Sequence, residues 1–282
     1  MANTIDADLL IDTLSQKAIT FLGDRLAPLS AFSTDFSTDE LVQEKAMQVP
    51  VVSSGATTLT NPTTFESGDT VTSNVAVTVN HYSQPFHITS KQYNQRIRLE
   101  MLAQGNLQTL ANKISDVWTA LVLDASISTT NTTVAQASFV AASAKSMLGQ
   151  IVKCSRKSLL LDGIAYAQLA PSDKNAFELG ASGAYGFDAI FPQTRWTGAT
   201  ANVYGLAAGQ EFLAMAAGIP LQAPGVADEM VSQKVITIPG IGLPIQVNLW
   251  VSRATRQLWC SYDLMFGAAV ADGSAAALVL SA

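Results

Sequence analysis

The chain has two histidines, His81 and His87, and these are the residues whose type alone suggests chemistry. A neutral imidazole can accept a proton, ligate a metal or respond to pH near neutrality. Both fall on one face of an alternating stretch, where six residues of extended chain hold them roughly 20 Å apart. They cannot share a metal ion, and no carboxylate lies between them in sequence. Ribbon packing or an inter-subunit contact is the reading, with pH sensing the sharper alternative. Cys154 and Cys260 lie far apart, with neither a CxxC spacing nor a histidine nearby, the pattern of buried free thiols. Asp162, Asp173, Asp188, Asp263 and Asp272 stand singly near turn signals, where aspartate commonly bonds its own backbone. Gly180-Ala-Ser-Gly183-Ala-Tyr-Gly186 has the glycine density of a phosphate cradle without a strand–turn–helix context, and Pro239-Gly-Ile-Gly242-Leu-Pro244 lacks the third glycine. A nucleophile elbow, a P-loop, a dinucleotide fingerprint and an HExxH pair are all missing from the sequence. No catalytic group, metal or cofactor is expected, and the chain does not read as an enzyme.

The elements that carry these residues say more. From Val71 to Ile88 the sequence alternates, with Val71, Val75, Val77 and Val79 on one face and Thr72, Asn74, Ala76, Thr78 and Asn80 on the other. Upstream, Gln48 to Ser53 sets Val49, Val51 and Val52 around Pro50; proline cannot donate to a ladder, so this strand is an edge or is kinked. Ser53 to Thr70 between them carries the turn signals Asn61-Pro62 and Gly68-Asp69. Together they predict a β-ribbon with its tip near Asn61 to Asp69. Two strands alone are marginal in water, and an uncharged ribbon left uncovered is an aggregation hazard. Thr89 or Ser90 then caps a short helix, Lys91 to Arg98, and a long helix follows over Leu99 to Ser126. Its stripe is Ala103, Leu107, Leu110, Ile114, Val117, Leu121 and Ala125, over a length of ~42 Å. Gly105, which costs about 1 kcal/mol inside a helix, predicts a kink or close backbone packing there.

Elsewhere, a helix is predicted over Thr4 to Leu22, ended by Gly23 and Pro28, with Ser30 to Asp39 as an extended arm. A second helix is expected over Ala137 to Lys153, then a strand over Lys157 to Leu161 and a turn at Asp162-Gly163. Ala165 to Leu169 reads as strand, Pro171 to Leu179 as helix, Gly180 to Gly186 as loop, and Val203 to Ala217 as one mixed apolar stretch ending at Gly218. Val235 to Ile238, Ile245 to Val251, Leu258 to Tyr262 and Ala277 to Leu280 read as strands joined by Gly/Pro turns. The sum is an α+β fold in which strands distant in sequence share a sheet.

Only 13% of the 282 residues are charged, about half the ~25% of ordinary soluble domains. Between Met47 and Ser90 only Glu66 and Asp69 ionise at neutral pH, and between Ala125 and Val152 only Lys145. So little charge favours association. The net charge of −6 and the scattering of 16 basic residues argue against a nucleic-acid groove; the densest cluster is Lys153, Arg156 and Lys157. The acidic start lacks the features of a secretory signal, and no apolar run approaches the roughly 18 residues of a membrane span. A cytoplasmic origin is expected.

The order and texture of these segments resemble the major capsid proteins of tailed bacteriophages, with the Hong Kong 97-type fold. Residues 1–42 look like the N-terminal arm, 43–88 like the extended E-loop ribbon, and 89–152 like the P domain with its spine helix. Residues 153–234 look like the A domain, entered by Lys157-Ser-Leu-Leu-Leu-Asp-Gly. Residues 235–282 look like closing strands, through Ile241-Gly-Leu-Pro-Ile-Gln-Val-Asn-Leu-Trp and Tyr262-Asp-Leu-Met-Phe-Gly-Ala-Ala-Val. The resemblance implies hexamers and pentamers in an icosahedral shell around double-stranded DNA, held by head-to-tail contacts that close by rotation. It implies a virion protein assembled in the host bacterial cytoplasm, with a portal at one vertex, possible decoration proteins and no membrane partner. About 40 residues precede the ribbon, so a separate scaffolding protein and little or no cleavage are expected. Some relatives weld the shell through an E-loop lysine, but no lysine lies between Lys45 and Lys91 here, so closure is expected to be non-covalent. Phe65, Glu66 and Asp69 at the ribbon tip, His81 and His87 along it, and Arg96 and Arg98 at the hinge are the expected inter-subunit contacts. The competing readings are an encapsulin-type nanocompartment shell and, in another class, a small-molecule-binding α/β enzyme using the glycine loop near Gly183.

Overall fold

The computed structural model describes residues 6–37, 45–54, 60, 71–89, 95–169, 185–193, 196, 202–221, 230–252 and 257–282. Helix α1 (Ala7–Phe32) starts where the Asp6 carboxylate accepts from the backbone amides of Asp8 and Leu9 at 3.1 and 3.2 Å. It runs through both Gly23 and Pro28, ten residues past the predicted stop at Leu22. Pro28 costs about 3 kcal/mol in a helix interior. Beyond it the apolar stripe continues through Leu29 and Phe32, both 0% exposed, and each such burial contributes about 1.5–3 kcal/mol. Packing wins over the local stop signal.

Helix α2 (Arg96–Thr119) is the long helix, 24 residues and about 36 Å. Leu99, Ala103, Leu107, Leu110, Ile114 and Trp118 form its buried stripe. It ends at Thr119 rather than Ser126, and Asp124–Ser126 form a 3₁₀ turn. Turning there buries Val122 and Ile127, whereas Ala125 of the predicted stripe is exposed. Gly105 is exposed, and a β-carbon built on it meets nothing within 4 Å, so it marks no close packing. The last turns of the two helices meet where Phe32 stacks on Trp118 at 6.3 Å.

Both helices lie on one face of a six-stranded sheet. Its path is β1 (Ser33–Asp35), β9 (Leu213–Gly218), β12 (Gln257–Val270), β11 (Pro244–Ser252) and β10 (Met230–Thr237), with β4 (Asn80–Ile88) paired to β12. The Tyr262 hydroxyl donates to the Leu14 carbonyl at 3.5 Å, and the Gln84 amide donates to Asn106 Oδ1 at 3.0 Å, tying sheet to α1 and α2. A five-stranded sheet has the order β5 (Thr132–Thr133), β13 (Ala276–Leu280), β8 (Val203–Ala208), β6 (Ser158–Asp162) and β7 (Ala189–Gln193).

Short helices α3 (Ala141–Leu148) and α4 (Gly163–Leu169) accompany it. The α3 helix has eight residues, well short of the expected Ala137 to Lys153. The α4 segment was expected as strand, but its buried residues Ala165 and Leu169 are four apart, a spacing that fits a helix and a strand equally. The expected helix Pro171 to Leu179 lies outside the described residues.

Sheet membership crosses the chain order. The stretch Val203 to Gly218 is two strands, β8 in one sheet and β9 in the other, joined across Gly209–Phe212. The chain crosses again from β12 to β13 through Gly273–Ala275. The two crossings are hydrogen-bonded to each other: the Gly209 amide donates to Ala275 at 3.2 Å and the Ala271 amide to Phe212 at 2.8 Å.

The ribbon is β2 (Ala46–Ser54) paired antiparallel with β3 (Val71–Thr78), in register from Ala46 opposite Thr78 to Val52 opposite Thr72, with a one-residue shift before Ser54 opposite Val71. The predicted single strand Val71 to Ile88 divides at Val79. Below it the chain belongs to the ribbon; above it β4 enters the main sheet, with Asn80 opposite Phe266 and Ile88 opposite Leu258.

Candidate functional site

The ribbon root lies on the sheet face opposite the helices. On β12, Cys260, Tyr262 and Leu264 point toward the helical core, so Ser261, Asp263, Met265, Gly267 and Ala269 point the other way. A second, smaller core forms there: Val49, Val77 and Val79 pack with Ala214, Ala216 and Met265, flanked by Phe36, Met47, Val51, Ala269 and Ala271. The root of the ribbon is therefore covered by its own chain, not left for a neighbour to cover.

Beside the root the same face carries a polar network. Asn248 donates to Asp263 Oδ2 at 2.6 Å, Ser261 donates to the same oxygen, and Gln246 and Gln233 donate to Asn248 Oδ1 at 2.9 and 3.1 Å. Gln246, Asn248, Ser261 and Asp263 are all buried. Buried polar groups are tolerable when each finds a partner, and here cross-strand register supplies them: Gln246 faces Asp263 and Asn248 faces Ser261.

His81 Nε2 sits 3.5 Å from Asp263 Oδ1, with the histidine side chain 32% exposed. The carboxylate missing from the sequence neighbourhood of His81 thus arrives from β12. His87 lies opposite Trp259, ring centroids 5.6 Å apart, and Trp259 stacks on Trp250 at 6.3 Å. The structure does not bring the two histidines together. Arg98 is exposed on the first turn of α2, and Arg96 opens that helix. Phe65, Glu66 and Asp69 lie outside the described residues, as do Gly180 and Gly183 of the glycine loop.

A cleft of about 340 Å³ opens under the ribbon root, between Pro50 and Val51 of β2 and Phe36 and Leu213 of the body. At its rim Lys153 pairs with Asp272 at 3.6 Å, and Glu211 stands nearby. Burial works to raise the Asp272 carboxyl, but hydrogen bonds from Ser274 and the charge of Lys153 outweigh it and hold the group below its usual value. Burial and the Glu211 charge push the Cys154 thiol up to about 11, and burial with the Asp263 charge raises Cys260 further. Both thiols are free and buried, surroundings that favour the protonated form. Among the described residues no group of three or more His, Cys, Asp or Glu side chains is placed to hold a metal, and no helix is long and apolar enough to cross a membrane.

No family model matches the sequence, and no curated protein matches it. Solved structures do. The capsid of cyanophage P-SCSP1u is 12% identical, with a TM-score of 0.52 over 90% of this chain and 88% of that one. The capsid of an empty GTA particle is 10% identical, with a TM-score of 0.52 over 100% of this chain and 92% of that one. The fold is that of tailed-phage major capsid proteins. A virus-like particle from Pyrococcus furiosus is similar as well, 8% identical with a TM-score of 0.50 over 94% of this chain and 98% of that one. Within this capsid fold, the α+β arrangement of long helix, sheet and ribbon follows the order expected from the sequence. The polar network and Gly267 were not singled out there. The network is closed by bonds between β10, β11 and β12 that the sequence does not display, but a glycine inside an apolar strand pattern was a usable signal of close backbone approach.

Proposed function

We propose that this chain is a shell-forming major capsid protein of a tailed phage, and that hexamers and pentamers of it enclose double-stranded DNA in the virion. The observation that carries this reading is the capsid fold combined with a ribbon whose two strands, Ala46–Ser54 and Val71–Thr78, carry no ionisable side chain. A surface of that kind is suited to lying on another protein surface. On this reading residues 89–152 supply the P domain, 153–234 the A domain and 235–282 their closing strands, with β9 crossing from the A segment into the six-stranded sheet. Phe65, Glu66 and Asp69 of the tip, with Arg96 and Arg98, form contacts between subunits; His81 and His87, already engaged within the chain, contribute their exposed edges. A separate scaffolding protein, a portal and possible decoration proteins are the partners, and the shell assembles in the host cytoplasm.

Negative-stain microscopy and gel filtration of the purified chain test this. Closed particles or ring-shaped capsomers that form with rising concentration are expected. A single small species at every concentration would overturn the reading. A second reading, a nanocompartment shell of the encapsulin type, draws on the likeness to the Pyrococcus furiosus virus-like particle. Natively isolated particles holding a protein cargo and no DNA would favour it.

A further inference from the structure

We infer that Gly267 fixes the line along which the ribbon crosses and leaves the body, and so acts as a positioning residue for assembly; the assembly half rests on the shell reading proposed above. Gly267 lies inside β12, a strand of 14 residues. Glycine weakens a strand interior through backbone entropy and the missing side chain, so its presence there calls for a cause. A β-carbon built on it would overlap the Thr78 carbonyl oxygen, and would lie 2.8 Å from the Thr78 carbonyl carbon and 3.1 Å from Val79 Cα. All three are backbone atoms, so no rotamer change relieves the collision.

The register explains why the approach is so close. Thr78 is the last residue of the ribbon ladder and Asn80 the first of the β4 ladder, leaving only Val79 between them. The chain changes partners within one residue, which requires its backbone to rest directly on β12. Ala214, Ala216 and Ala269 keep the surrounding floor low, while Val49, Val77 and Val79 close down on it against Met265. The nine residues of β2 extend roughly 30 Å from this point. A tilt of about 10° at the root therefore moves the far end by roughly 5 Å over that length.

The test uses the full chain carrying Gly267→Ala and, more severely, Gly267→Val. Hydrogen exchange is followed in the ribbon (residues 46–54 and 71–79) and in β11, and particles are imaged in parallel. Exchange at least tenfold faster in the ribbon with β11 unchanged, together with absent or misshapen particles, is the expected result. Ribbon exchange at the wild-type rate would overturn the positioning role. Faster ribbon exchange with particles identical to wild type would overturn the assembly half alone. If wild type itself forms no particles while ribbon exchange still responds, the shell reading fails and the seat at Gly267 stands. Should Gly267→Ala not fold, Val77→Ala and Met265→Ala thin the same contact from its two sides, and unchanged ribbon exchange in both would equally overturn it.

Discussion

Asp263 shows how one side chain is selected by its surroundings. Its Oδ2 accepts from Asn248 and Ser261, and its Oδ1 faces His81. Removing an acceptor strands buried donors at about 1–3 kcal/mol each. The half-exposed histidine adds little by comparison. Asp263→Ala is therefore expected to lower stability by about 2–4 kcal/mol, read as a shift in the urea midpoint, with His81→Ala changing it by less than about 1 kcal/mol. The sequence offered Asp263 as one of several isolated aspartates near turns. Apart from Ser261 two residues away, nothing local separated it from the others, because Asn248 and His81 come from β11 and β4 through sheet register.

At the scale of elements, α2 gives the cleanest test. Gly105 is exposed in its middle, with nothing within 4 Å of an added β-carbon. Gly105→Ala is expected to stabilise the fold by about 1 kcal/mol, seen as a higher melting temperature, without altering particle formation. What the sequence made legible here were features with a strong period: the alternating strand, the stripe of α2, and the apolar strands near the end of the chain. It misplaced features settled by packing. α1 runs through Pro28 because Leu29 and Phe32 are buried beyond it, and α4 is helical although Ala165 and Leu169 fit either period. The division of Val71 to Ile88 at Val79 was invisible, since both halves alternate and only the partner strand changes. The candidate site was half legible. The ribbon was found, but its docking on β9 and β12 depends on contacts between residues far apart in sequence.

For the whole molecule, low charge and a partly self-covered ribbon set what kind of assembly is expected. No lysine lies between Lys45 and Lys91, so an amide cross-link from the ribbon has no amine to start from. Particles boiled in detergent should run as a single band at 29.7 kDa; a ladder of multimers would contradict non-covalent closure.

The paired crossings at Gly209–Phe212 and Gly273–Ala275 bear on mechanics. Because two backbone segments run side by side between the sheets, a pull that separates the sheets loads covalent chain in duplicate. The adjoining β8–β13 ladder begins at the crossings, Ala208 opposite Ala276, so both of its strands take that load at the same end and move together. A wall made of such subunits would pass internal pressure from one sheet to the other with no soft joint between them.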